Sequence, residues 1–199
     1  MLDTNARKYV QPLLDAIARA CLRAGIGANA LTIAGMLLGV AAALLAAAGL
    51  PVAAVAVLWL SGLIDAADGT LARLTQATPL GAILDITFDR VVEIAMIVAL
   101  AWRFRDARLE LLVLAGVIAI AMSLFLSIAA AVANRSVKSF HYAPGLGERT
   151  EAFICLTLMI LDSERLVLWT WVFVAVIVFT MGQRLRYAKA MLAEAGKHE

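Results

Sequence analysis

No charged side chain interrupts the chain between Arg23 and Asp65. That run is too long for one crossing of a bilayer, whose hydrocarbon core of ~30 Å needs about 20 helical residues. The Ala48-Gly49-Leu50-Pro51 stretch supplies a break, because proline ends or kinks a helix. The pattern predicts a first span over 28–48 and a second over 52–75. A third begins with Thr78 as N-cap and Pro79 in the first helical position, and runs to about residue 102. A fourth covers 111–133, a short fifth 150–161, and a sixth runs from 166 into the Arg184 region. Ahead of them, charges at Asp3, Arg7, Lys8, Asp15, Arg19 and Arg23 interleave with Tyr9, Val10, Leu13, Leu14, Ile17 and Leu22. That pattern suits a helix lying on the membrane surface, not the apolar core of a signal peptide. The reading is an all-α polytopic membrane protein, with six transmembrane helices preceded by an amphipathic surface helix. It divides into a juxtamembrane helix over 1–27, a six-helix domain over 28–190 and a cytoplasmic tail over 191–199.

Composition agrees with this pattern. Of 199 residues, 63% are hydrophobic and only 16% charged, which excludes an ordinary water-soluble domain. A net charge of +2 gives no reason to expect a nucleic-acid partner. The placement of the charges says more than their number. With six crossings and the N-terminus inside, thirteen of the seventeen lysines and arginines lie on one side; Arg103, Arg105, Arg108 and Arg165 lie on the other. That bias is the mark of a cytoplasmic face and predicts an integral protein of the inner membrane. Cys21 and Cys155 have no metal-like spacing and are read as packing residues in a reduced setting.

The anomaly lies at the inner ends of the second and third spans, where Asp65, Asp68, Asp85 and Asp89 sit in otherwise apolar helices. An ionised aspartate near lipid costs several kcal/mol unless it faces a cavity or a partner. At ~100° per residue, Asp65, Asp68, Gly69, Ala72 and Arg73 share one helical face. Gly81, Asp85, Asp89 and Glu93 form a ladder at intervals of four on the next helix. The short 75–79 turn would make the two helices antiparallel neighbours and bring the faces together. Four carboxylates in one place need cations, and hard divalent ions such as Mg²⁺ or Mn²⁺ take all-oxygen ligands. Two such ions suit displacement at a diphosphate, with Arg73 placed to meet phosphate oxygens. An ion or proton pathway in a transporter is the competing reading of the same acids.

The spacing Asp65-x2-Asp68-Gly69-x2-Ala72-Arg73-x7-Gly81-x3-Asp85-x3-Asp89 resembles the signature of the CDP-alcohol phosphatidyltransferase family at all eight fixed positions. Asn29-Ala30-Leu31-Thr32 is similar to the family's Pro-Asn-x-Leu-Thr element, with Ala28 in place of proline. The resemblance implies six transmembrane helices, an amphipathic N-terminal helix and a homodimer. It also implies a reaction in which an alcohol attacks the phosphorus on the diacylglycerol side of CDP-diacylglycerol and CMP leaves. Carried over, Asp65, Asp68, Asp85 and Asp89 would hold two divalent cations, and Asp89 would also take the hydroxyl proton. Asn29, Thr32, Asp68, Gly69, Arg73 and Thr78 would contact the CDP-lipid.

The loop between the fourth and fifth spans carries Arg135, Lys138 and Arg149, and Arg184 lies at the inner end of the sixth. Glu148-Arg149-Thr150-Glu151 resembles the Glu-Arg-x-Glu element of family members that use phosphorylated acceptors. These basic residues are expected either to hold an acceptor phosphate, as in glycerol 3-phosphate or an inositol phosphate, or to act as positive-inside anchors. Neutral acceptors such as inositol or serine, and a CDP-choline or CDP-ethanolamine type of donor, stay open at this point.

Overall fold

The computed structural model describes residues 2–133 and 149–195. Among them the chain forms helices only: α1 (Leu2–Arg23), α2 (Ala28–Ala47), α3 (Pro51–Leu74), α4 (Pro79–Arg103), α5 (Arg108–Ala133), α6 (Arg149–Leu161) and α7 (Leu166–Ala195). Short 3-10 turns at Arg105–Ala107 and Ser163–Arg165 lead into α5 and α7. The breaks between helices have local causes. Gly25 and Gly49 adopt φ of 72° and 81°, the left-handed conformation that closes a helix C-terminus. At the second of these, the Gly49 amide donates to the Ala46 carbonyl at 3.1 Å and the Leu50 amide to Leu45 at 3.0 Å. Pro51 then opens α3 from its first turn. On α4 the cap is a side chain: the Thr78 hydroxyl accepts from the Gly81 amide at 3.0 Å, ahead of Pro79.

Among the described residues, four helices are long and apolar enough to cross a membrane: Ala28–Ala47, Pro51–Leu74, Arg105–Ala131 and Ser163–Leu192. α4, at 25 residues, has the length but carries Asp85, Asp89, Arg90, Glu93 and Arg103. α6 has only 13 residues. The outer face is what a lipid solvent requires, with Val52, Val98, Leu109, Leu112 and Phe179 all more than half exposed.

In one respect the arrangement corrects the sequence reading. α3 and α4 do not pack on one another as antiparallel neighbours; each packs chiefly on α2. The cause is the small size of the α2 surface. Gly39 leaves a notch filled by Val92 of α4, whose Cγ1 lies 2.6 Å from where a Cβ would stand. Gly35 lies against α3, where the Ser61 hydroxyl donates to its carbonyl at 2.7 Å. Small residues let helix backbones approach closely in a membrane, so one thin helix serves two thicker neighbours. The main core, around Leu58, Met96, Leu100, Leu111, Leu156 and Met159, lies between α3, α4, α5 and α6. A smaller cluster of Leu14, Ala18, Leu31, Ala67 and Leu71 docks α1 on α2 and the C-terminal half of α3. α7 continues to Ala195, beyond the boundary at 190 that the sequence suggests.

Candidate active site

The C-terminal half of α3 and the N-terminal half of α4 carry the acids. Asp65 and Asp68 are buried, at 8% and 5% exposure, although both are charged residue types on an apolar helix. Asp85 reaches them from α4, so that one oxygen from each of the three carboxylates lies within 4.8 Å of the others. The Asp68 Oδ2 atom is buried and has no hydrogen-bond partner. A buried acceptor left unsatisfied is costly, and a hard cation would satisfy it. The donor set, all carboxylate oxygen, fits Mg²⁺ or Mn²⁺ and not a thiophilic metal.

The residues expected to meet the CDP-lipid surround this group. Thr32 is buried on α2 beside the Asp68 carboxylate. Asn29, one turn earlier, faces the first turn of α4, with Oδ1 3.2 Å from where a Gly81 Cβ would stand. Among the described residues, a Cβ on Gly69 would meet only the Arg73 Nη1 atom, at 3.7 Å, so the surface there is open to close approach. Arg73 Nη2 donates to Thr70 at 2.9 Å, which turns its guanidinium back along α3 toward Gly69.

Asp89 lies outside the three-carboxylate group. It pairs instead with Arg149, whose Nη2 is 2.8 Å from the Asp89 Oδ1 and whose Nη1 pairs with Asp65. Arg149, read from sequence as an acceptor group or an anchor, thus ties α3 to α4 from the first turn of α6. Behind it opens a cavity of about 220 Å³ between α4, α5, α6 and α7. Asp85, Asp89, Arg90, Glu93, Arg149 and Arg184 give it polar walls, and Ile118, Met122, Phe173 and Ile177 give it apolar ones. Arg90 Nη1 pairs with the buried Glu93 at 2.6 Å, and the Arg184 guanidinium stacks over Phe125 at 4.9 Å. Arg135 and Lys138 lie outside the described residues.

Gly62, Phe153, Trp59 and Thr157 together hold α6 in register. Phe153 fills the notch at Gly62 on α3, its Cε2 2.6 Å from the place of a Cβ. Trp59 meets the same ring edge-on, with centroids 5.9 Å apart, and its Nε1 donates to Thr157 at 3.0 Å. From sequence Trp59 reads as a belt or core aromatic. No spacing pattern marks Gly62 or Phe153, because their link spans two helices far apart in the chain.

Comparison with known proteins agrees with this geometry. The family model of CDP-alcohol phosphatidyltransferase matches residues 26–182. Inner membrane protein YnjF of Escherichia coli is 34% identical over 169 residues, covering 79% of this chain and 81% of its own. A phosphatidylinositol phosphate synthase of Corynebacterium glutamicum is 36% identical over 108 residues, covering 51% of this chain and 48% of its own. Among solved structures, the phosphatidylinositol phosphate synthase of Mycobacterium tuberculosis with CDP-DAG bound superposes with a TM-score of 0.71 at 27% identity, over 89% of this chain and 94% of that one. The same enzyme in complex with manganese and citrate gives 0.69 at 27% identity, over 88% of each chain.

Proposed function

As the chain belongs to the CDP-alcohol phosphatidyltransferase family, whose model matches residues 26–182, we propose that it moves the phosphatidyl group of CDP-diacylglycerol onto a phosphorylated polyol and releases CMP. It is an integral membrane transferase that binds divalent metal. The observation that carries the acceptor reading is the cavity beside the aspartates, where Arg90, Arg149 and Arg184 converge. Arginine is suited to bidentate recognition of phosphate. That favours glycerol 3-phosphate or an inositol phosphate over inositol or serine.

Asp65, Asp68 and Asp85 would hold one divalent ion, and Asp89 would complete the site for a second. When bound, such ions neutralise the diphosphate and stabilise the entering and leaving oxygens. The chain's own residues orient the reactants. Asn29, Thr32, Gly69, Arg73 and Thr78 receive the cytidine diphosphate end of the donor, with Gly69 giving it room. Arg149 and Arg184 hold the acceptor phosphate so that a hydroxyl faces the phosphorus attached to diacylglycerol. As the new oxygen-phosphorus bond forms, the bond to CMP breaks and the hydroxyl proton passes to an Asp89 carboxylate oxygen. Binding in one orientation converts a two-substrate encounter into a local displacement.

The same reading takes α2 to α7 as six crossings, with α1 lying at the surface and the aspartates facing the cytoplasm. A homodimer follows from family membership and completes the proposal. The test is to incubate purified protein with CDP-diacylglycerol, Mg²⁺ or Mn²⁺, and a panel of alcohols and their phosphates. Metal-dependent CMP release with a phosphorylated polyol is the expected result. Release with inositol or serine alone would overturn the acceptor reading, and no release or CMP exchange with any acceptor would overturn the donor reading.

A further inference from the structure

We propose that Phe153 is a positioning residue for Arg149, seated by the notch at Gly62, and that this contact tunes how the enzyme uses its anionic acceptor. The proposal rests on the reading of Arg149 as a group for the acceptor phosphate. α6 is short and has few residues with which to define its own register against α3. Phe153 supplies it. Its ring occupies the space that any side chain at position 62 would need, with Cε2 2.6 Å and Cδ2 3.3 Å from an ideal Cβ. Trp59 closes one side of that ring, at an interplanar angle of 85°. A chain of hydrogen bonds then fixes the helix along its axis. Trp59 Nε1 donates to the Thr157 hydroxyl at 3.0 Å, and that hydroxyl donates to the Phe153 carbonyl at 2.7 Å.

Arg149 lies one helical turn before Phe153 and so projects from the same face. Its guanidinium carbon sits 5.5 Å from the Phe153 ring centroid. The guanidinium is thus supported from below by an aromatic ring while its two terminal nitrogens meet Asp65 and Asp89. Arginine stacks on aromatic faces with a preferred plane, so the ring restricts the directions in which the fork can point. A flexible arginine among carboxylates has many pairings available; one resting on a fixed ring has few. The consequence falls on the acceptor. A fork that points elsewhere holds the acceptor phosphate less well, which raises the acceptor KM.

The experiment compares the full-length protein in detergent with Phe153→Met, which keeps apolar bulk without a ring, and Gly62→Ala, which pushes the ring from its notch. An arginine-selective dicarbonyl reagent is applied and labelling is quantified at each arginine by mass spectrometry. Labelling at Arg149 should rise several-fold in both variants, while Arg73, Arg90 and Arg184 keep their original rates. Unchanged labelling at Arg149, or an equal rise at all four, overturns the proposal. The KM for glycerol 3-phosphate or an inositol phosphate should increase about tenfold with kcat and the KM for CDP-diacylglycerol little changed. In an Arg149→Gln background Phe153→Met should add nothing further. A rise in labelling without any change in acceptor KM would leave the positioning role standing and remove Arg149 from the acceptor reading.

Discussion

Asp89 accepts an ion-pair hydrogen bond from Arg149 at 2.8 Å and lies outside the group formed by the other three acids, one of which, Asp65, shares that arginine. Asp65, Asp68 and Asp85 form the compact group, and Asp89 lies on the side of the cavity. The position suits a residue that meets the incoming hydroxyl. Asp89→Asn keeps the shape and hydrogen-bonding capacity but cannot accept the proton. Turnover should fall by about two to four orders of magnitude, the range for loss of a general base. Binding of CDP-diacylglycerol, followed by equilibrium dialysis of a radiolabelled lipid in detergent, should persist. Substantial residual turnover would remove Asp89 from the role of base.

Metal affinity follows a different set of residues. Asp68→Asn and Asp85→Asn should each weaken Mn²⁺ binding measured by calorimetry, and chelation should abolish CMP release until Mn²⁺ is restored. Arg149→Gln should have the opposite effect on affinity. Arg149 already neutralises Asp65, so a second cation must compete with it. Removing that competitor should tighten Mn²⁺ binding by up to about tenfold, equivalent to roughly 1.4 kcal/mol. Equal affinity in the variant and the parent would show that Arg149 and the metal do not share Asp65.

At Gly69 the prediction concerns space. Among the described residues only Arg73 lies near the position of its missing Cβ, so Gly69→Leu should fold normally. The added side chain would project into the region assigned to the donor. KM for CDP-diacylglycerol should therefore rise by at least about tenfold, with the melting temperature unchanged. A donor KM equal to that of the parent would place the cytidine diphosphate elsewhere.

Gly39 makes the contrasting case. A Cβ there would stand 2.6 Å from Val92 Cγ1 and 3.0 Å from Ser61 Oγ. Gly39→Ala should cost about 1–3 kcal/mol through overpacking, read as a lower melting temperature in detergent. Gly39→Ala combined with Val92→Ala should recover much of that loss, because the clash is with a removable side chain.

Thr78→Ala removes the cap from α4. The loss should be about 1 kcal/mol, and the KM for CDP-diacylglycerol should rise as well, because the same hydroxyl is assigned to the donor. Thr78→Ser, which keeps the hydroxyl that accepts from Gly81, should restore stability. A donor KM equal to that of the parent, with stability lowered, would leave the Thr78 hydroxyl to the helix alone.

Local rules made much of this site legible. The break at Gly49-Leu50-Pro51 and the Thr78-Pro79 start are encoded within a few residues, and both appear where those rules put them. The period of the acids along α3 and α4 likewise needs nothing beyond helical geometry, and Asp65, Asp68 and Asp85 do converge. What periodicity could not supply is which helix packs on which. The short turn after Thr75 makes α3 and α4 consecutive, yet the glycines of α2 draw both onto that helix. Arg149 was visible as a basic residue with two readings, anchor or acceptor group. Its placement between Asp65 and Asp89 depends on α6, and through Phe153 on a single missing side chain at Gly62. Such a hole has no periodicity in sequence, because its meaning lies in what another helix puts there.

The uncharged helix α2 deserves a last consequence. Since α3 and α4 both rest on it, the thickness of α2 acts as a gauge block for the distance between the acids they carry. Gly35 lies 3.6 Å from the backbone nitrogen of Asp65 when measured from an ideal Cβ, and Gly39 receives Val92 at the level just before Glu93. A methyl group added at Gly39 would push Val92 and α4 away and so widen the separation of carboxylates that it does not reach. The coordination distance available to a metal ion is thereby set by residues that have no affinity for metal at all.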